Sequence, residues 1–171
     1  MKVLLYLIYI SIFFVVCFSA NSKTFPYQKG DRVDIAFNLE INSYQGEDSV
    51  SIKLKGIRPA GSDNNKLISE FHDYEKFLRG ELVSNEICPS RSDAAIIYKE
   101  LLKEPQVNYE ILNLYRKLHL ESVMSFAKYH IALDALNELG MITIKNGKIG
   151  LISNPTRKDF NKAPVLKKFS T

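Results

Sequence analysis

The chain has no tryptophan, two cysteines (Cys17 and Cys88), eight glycines, six prolines and three histidines in 171 residues. Two cysteines cannot staple a disulfide scaffold or build a Cys-rich zinc site. The low glycine and proline content excludes collagen-like and low-complexity chains. Charge of one sign is also scarce: 23 Lys+Arg against 19 Asp+Glu leave a net +4. That balance permits a polyanionic partner without requiring one. His72, His119 and His130 are far apart in the chain, so no metal-ligand spacing forms, and each reads as a surface or helix-end residue. Cys17 and Cys88 read as buried, reduced thiols. No Gly-rich phosphate loop, nucleophile elbow or Cys/His metal pattern is present either.

What is present is ordinary globular material, 46% apolar and 25% charged, with one anomaly. Met1–Ala20 (MKVLLYLIYISIFFVVCFSA) carries a single charge, at Lys2. A basic start, an apolar run and a Phe18-Ser19-Ala20 end fit a cleaved secretory signal. The run is short for a membrane span, so no stable membrane association is expected. Val, Ile, Tyr and Phe dominate it, and these residues also favour strands. Two buried strands, Lys2–Tyr9 and Ser11–Phe18, are the competing reading.

Beyond it, Lys23–Asp31 is a loop punctuated by Pro26 and Gly30. Val33–Ile41 alternates apolar and polar residues with period two, Asn42–Asp48 reads as a turn, and Val50–Lys55 alternates again. Gly56 breaks the register, which predicts a bulge or bend. Val33–Ile57 is thus an antiparallel hairpin. Pro59–Ser62 is a linker. Asn65–Leu78 has helical spacing, stopped by Gly80. The block Gly61–Ser90 holds three basic and six acidic residues, which makes it a poor polyanion surface and a better connector.

Ser90 and Asp93 form a capping-box-like start, with Arg91 and Ser92 as flank. Helices are expected at Ser92–Lys103, Asn108–Leu118 and about Ser122–Leu139. Met141–Lys145, Asn146-Gly147 and Lys148–Ile152 then carry a strong hairpin signal. Three helices followed by a hairpin is a winged-helix order. The tail, Asn154–Thr171, holds five basic residues against Asp159 and should be ordered where Phe160, Val165, Leu166 and Phe169 dock.

The stretch Lys29–Gly46 (KGDRVDIAFNLEINSYQG), followed by Val50–Pro59 (VSIKLKGIRP), resembles the OB-fold domain of RecJ-type single-strand-specific exonucleases. Pro89–Ser170, including Ala132–Gly140 (ALDALNELG), more loosely resembles the C-terminal extension of RecJ proteins from Gram-positive bacteria. In that family two strands precede the Lys-Gly-Asp turn, so the resemblance reads residues 1–20 as the first barrel strands, with the cleaved signal as the alternative. It implies an α+β chain: a small antiparallel β-barrel (OB-fold-like) over residues 1–60, a linker with a helix at 61–88, a winged-helix-like domain at 89–153 and a basic tail at 154–171.

The family's cleavage depends on clustered Asp and His, including an Asp-His-His motif, that hold divalent metals. This chain lacks the motif. The expectation is therefore a cytoplasmic, non-catalytic portion of such an exonuclease in bacterial DNA repair and recombination, needing no cofactor of its own. Divalent metal would belong only to the missing catalytic core. Its partners would be single-stranded DNA and a separate RecJ-like catalytic polypeptide. The alternative is a secreted or surface binding protein whose signal has been removed. OB barrels stack bases on aromatic rings and track the backbone with basic residues. Candidate contacts are Asn42, Tyr44, Lys53, Lys55 and Arg58 on the hairpin, although Asn42 also suits a turn former. In the C-terminal half they are Lys128 on the third helix, beside Tyr129 and His130, and Lys145 and Lys148 in the wing. A solvated basic face on a protein-binding module would read the same way there.

Overall fold

The computed structural model describes residues 15–16, 23, 25–44, 46–155 and 158–169. The expected strands at Lys2–Tyr9 and Ser11–Phe18, and the competing signal, fall outside these residues except at 15–16, as do Cys17 and the Tyr44 side chain. The chain is α+β and divides into two compact units.

The first unit spans residues 1–19 and 32–61. Its sheet has the order β1-β3-β2, with β1 at Val15–Val16, β2 at Val33–Tyr44 and β3 at Glu47–Pro59. β2 and β3 pair antiparallel from Val33↔Pro59 to Tyr44↔Glu47. The turn is thus tighter than Asn42–Asp48: Asn42 and Ser49 are paired strand residues, and Gly46 takes the φ of +85° that closes the corner. Ala36 opposes Gly56 while Phe37 opposes Leu54, so Lys55 is the extra residue of a bulge beside Gly56. β1 pairs parallel to the other edge of β3, Val15 opposite Ile52. Among the described residues this sheet is not a closed barrel.

Because the side-chain period is two, Ile35, Phe37, Leu39 and Ile41 share a face with Ile57, Leu54, Ile52 and Val50. Ile52 is 8% exposed, yet Leu39, Val50 and Ile41 are 63%, 67% and 74% exposed. The alternation is as the sequence predicts; its apolar face is largely uncovered.

The second unit, residues 20–31 and 62–171, holds a large core. α1 (Asn64–Arg79) starts at Asp63, whose side chain accepts from Asn65 N, and ends at Gly80 with φ +75°. α2 (Arg91–Lys103) opens with a full capping box: Asp93 N donates to Ser90 Oγ at 3.2 Å and Ser90 N to Asp93 Oδ2 at 2.8 Å. The expected helix Asn108–Leu118 instead begins as a two-residue strand, β4 (Tyr109–Glu110), before α3 (Ile111–Lys117). Tyr109 is fully buried there, opposite Ile149. A 3-10 turn at Leu120–Ser122 precedes α4 (Phe126–Glu138), which starts later than Ser122 because Ser125 is its cap, accepting from Lys128 N.

β5 (Ile142–Lys145) and β6 (Lys148–Leu151) flank Asn146-Gly147, whose φ angles of +51° and +72° are the paired positive values of a type I′ hairpin. The sheet order is β4-β6-β5. Phe160, Val165 and Leu166 bury in the tail's 3-10 turns, and Phe169 stacks on Phe77 with centroids 4.9 Å apart. α4 lies at the centre of this unit. α1 meets it through Tyr74 Oη, which donates to Asp134 Oδ2 at 2.7 Å, and through Glu70 Oε2, which accepts from Phe126 N at 2.7 Å. The tail meets it through Val165 N, which donates to Glu138 Oε2 at 2.8 Å. No helix among the described residues is long and apolar enough to cross a membrane.

Candidate nucleic-acid interface

The polar face of the β2–β3 hairpin follows from the same alternation. Asp34, Ala36, Asn38, Glu40 and Asn42 stand opposite Arg58, Gly56, Lys53, Ser51 and Ser49. Four of the five hairpin candidates therefore come together: Asn42, Lys53 and Arg58 on this face, with Lys55 exposed in the bulge between the two cations. Tyr44 is placed by its backbone at the end of β2, opposite Glu47.

The face is close to neutral. Lys53 pairs with Glu40, and Arg58 Nε lies 3.1 Å from Asp34 Oδ2. Asn42 Nδ2 donates to Ser51 Oγ at 2.9 Å. These ion pairs are exposed, and such pairs are worth only about 0–1 kcal/mol. A phosphate can therefore take either cation from its carboxylate at low cost. Aromatic rings are absent from this face among the described side chains, so stacking there would fall to Tyr44.

The C-terminal candidates separate. Lys145 and Lys148 are exposed and directly opposed across the Asn146-Gly147 turn. Lys128 is half-buried on α4, close enough to Cys88 for its charge to act on that thiol, although burial is the larger influence and holds the thiol up. Cys88 is a free, half-buried thiol.

Of the three neighbours expected on this helix, Lys128 stays half-exposed, whereas Tyr129 and His130 are buried rather than presented on its surface. Tyr129 is fully buried and its hydroxyl donates to Ile111 O at 3.0 Å. His130 is 9% exposed, inside a ring cluster with Phe126 at 4.6 Å, Tyr74 at 4.7 Å and Phe71 at 5.3 Å. Its Nε2 finds no hydrogen-bond partner among the described residues, and burial lowers its pKa to about 4. His72 and His119 are exposed, as expected, with His72 Nδ1 2.9 Å from Glu75.

Among the described residues no group of three or more His, Cys, Asp and Glu is placed to hold a metal ion. A tight ionic cluster does exist in the core wall. Glu100 lies 2.6 Å from Lys103 and 3.4 Å from Lys117, and Lys117 Nζ also donates to Tyr109 Oη at 3.0 Å. Burial pushes the Glu100 carboxyl up, but the two ammonium groups outweigh it and leave the pKa lowered. Each member is satisfied by another, so this cluster fixes α2 against α3 and leaves no spare group for chemistry. No family model, curated protein or solved structure matches the chain.

Proposed function

We propose that the chain binds single-stranded DNA as the non-catalytic, C-terminal portion of a RecJ-like exonuclease of bacterial repair and recombination. Cleavage would be supplied by a catalytic polypeptide with its own divalent metals. The carrying observation is the two-faced hairpin: one side apolar, the other a polar surface bearing Asn42, Lys53, Lys55 and Arg58. On this reading residues 1–20 supply the strands that cover the apolar side and close an OB-fold-like barrel. The edge pairing of Val15–Val16 with Ile52 and Lys53 supports it.

Within the second unit, residues 89–153 read as winged-helix-like, supported by the order α2, β4, α3, α4 and the β5–β6 hairpin and by the sheet order β4-β6-β5. With α4 enclosed, this unit serves as a scaffold, and single-strand binding falls to the hairpin.

Fluorescence anisotropy with a labelled oligothymidylate at low salt tests the reading. Binding should exceed that of a duplex of equal length and weaken steeply as salt rises. Replacing Lys53, Lys55 and Arg58 together with Gln should weaken it roughly tenfold or more. The salt slope should become shallower by about 0.7 for each phosphate no longer neutralised. No binding at low salt, or a triple variant that binds like the parent, refutes it.

A further inference from the structure

α2, the end of α4 and the tail enclose a cavity of about 260 Å³ in the second unit. Its floor is apolar: Ala94, Leu136 and Phe160 are buried, and Met141 is half-buried. Two cations, Arg91 and Lys158, line it from exposed positions, so they stand at its mouth. Tyr98 completes the wall.

Charge is what distinguishes this cavity from an ordinary packing defect. Among the described residues no carboxylate lines it. The neighbouring acids are committed elsewhere: Asp93 to the Ser90 cap, Asp159 to Asn161 N, and Glu138 to Val165 N. Neither Arg91 nor Lys158 has an ion-pair or hydrogen-bond partner among the described residues, and nor does the Tyr98 hydroxyl. Other cations of this unit, such as Lys99 and Lys162, also lack an ion pair among the described residues, but Arg91 and Lys158 are the two that line this apolar cavity. Two unpaired cations over an apolar floor complement a molecule with an apolar body and one anionic end.

We propose that this cavity binds a small apolar monocarboxylate, its body against Ala94, Leu136, Met141 and Phe160 and its carboxylate between Arg91 and Lys158. The volume lies just under the roughly 300–1,000 Å³ of drug-sized sites, so the body is of about single-ring size. The site is independent of the hairpin, and its ligand is a free small molecule rather than nucleic acid.

Titration calorimetry on the full chain, with phenylacetate as probe, tests it. Phenylacetate should bind one per chain. Phenylacetamide, which keeps the ring and loses the charge, and acetate, which keeps the charge and loses the ring, should each bind at least roughly tenfold more weakly. Arg91→Gln and Lys158→Gln should each weaken phenylacetate by about tenfold. Lys66→Gln, on an exposed side chain of α1 outside the cavity, should leave it unchanged. Both cation variants alter exposed side chains, so circular dichroism should confirm an intact fold. No phenylacetate binding by the folded parent chain, equal binding of phenylacetamide, or insensitivity to both cation variants would overturn the proposal. Filling the cavity by Ala94→Leu offers a second check, because it should abolish binding while leaving Arg91 and Lys158 in place.

Discussion

His130 sits where charging an imidazole costs the fold most, among Phe71, Tyr74 and Phe126 and without a partner for Nε2 among the described residues. The ring takes its proton near pH 6.5 when unfolded and at about 4 when folded, because burial opposes the charged form. Below 6.5 the unfolded chain therefore holds more protons, and stability falls with pH until about 4. A depression of that size corresponds to roughly 3 kcal/mol at most across the window. His130→Phe should remove this part of the pH dependence, measured by urea unfolding between pH 7.5 and 4.5. Asp134, whose carboxyl burial pushes up, works with the opposite sign and is present in both proteins, so the difference isolates the ring. An unchanged slope in the variant would contradict this account. The role of His130 is not legible in the sequence. A single helical stripe through Val123, Ala127 and Ile131 leaves it off the core face. Here α1 and the tail bury the other sides of α4 as well, and that enclosure depends on residues remote in sequence.

At the scale of elements, local chemistry decided most of what formed. The Ser90 cap and the Asn146-Gly147 turn are legible because each rests on one or two residues with a specific backbone role. Ser90→Ala should cost about 1 kcal/mol. Gly147→Ala, forced to keep φ near +72°, should cost roughly 1–2 kcal/mol. Urea midpoints at pH 7.5 check both. If neither midpoint moves, the local rules do not govern this unit. The β2–β3 hairpin is equally legible, since strict alternation and Gly56 mark both its faces and its bulge. β4 is not, because two residues carry no period and Tyr109 becomes a strand only through pairing with Ile149. The hairpin's length is also hard to read: Asn42–Asp48 is rich in turn formers, yet the side-chain bonds of Asn42 and Ser43 across to Ser51 and Asp48 extend the ladder.

On the scale of the whole molecule, the two units differ in how they bury apolar surface. Among the described residues the second encloses a core of twenty-five buried apolar residues, whereas Ile52 is the buried apolar residue in the first. The Leu39, Ile41 and Val50 face is therefore the feature most in need of cover, and the proposed barrel closure by residues 1–20 would provide it. The proposed function divides along the same line: Lys53, Lys55 and Arg58 at least part-exposed on the hairpin, and on α4 a half-buried lysine near Cys88. The most direct test of that division is photocross-linking of 5-bromouracil-substituted single-stranded DNA to the full chain, followed by peptide mapping. The account predicts adducts within residues 33–59 and none within 126–138. Adducts confined to the second unit, or no adducts at all, would contradict it.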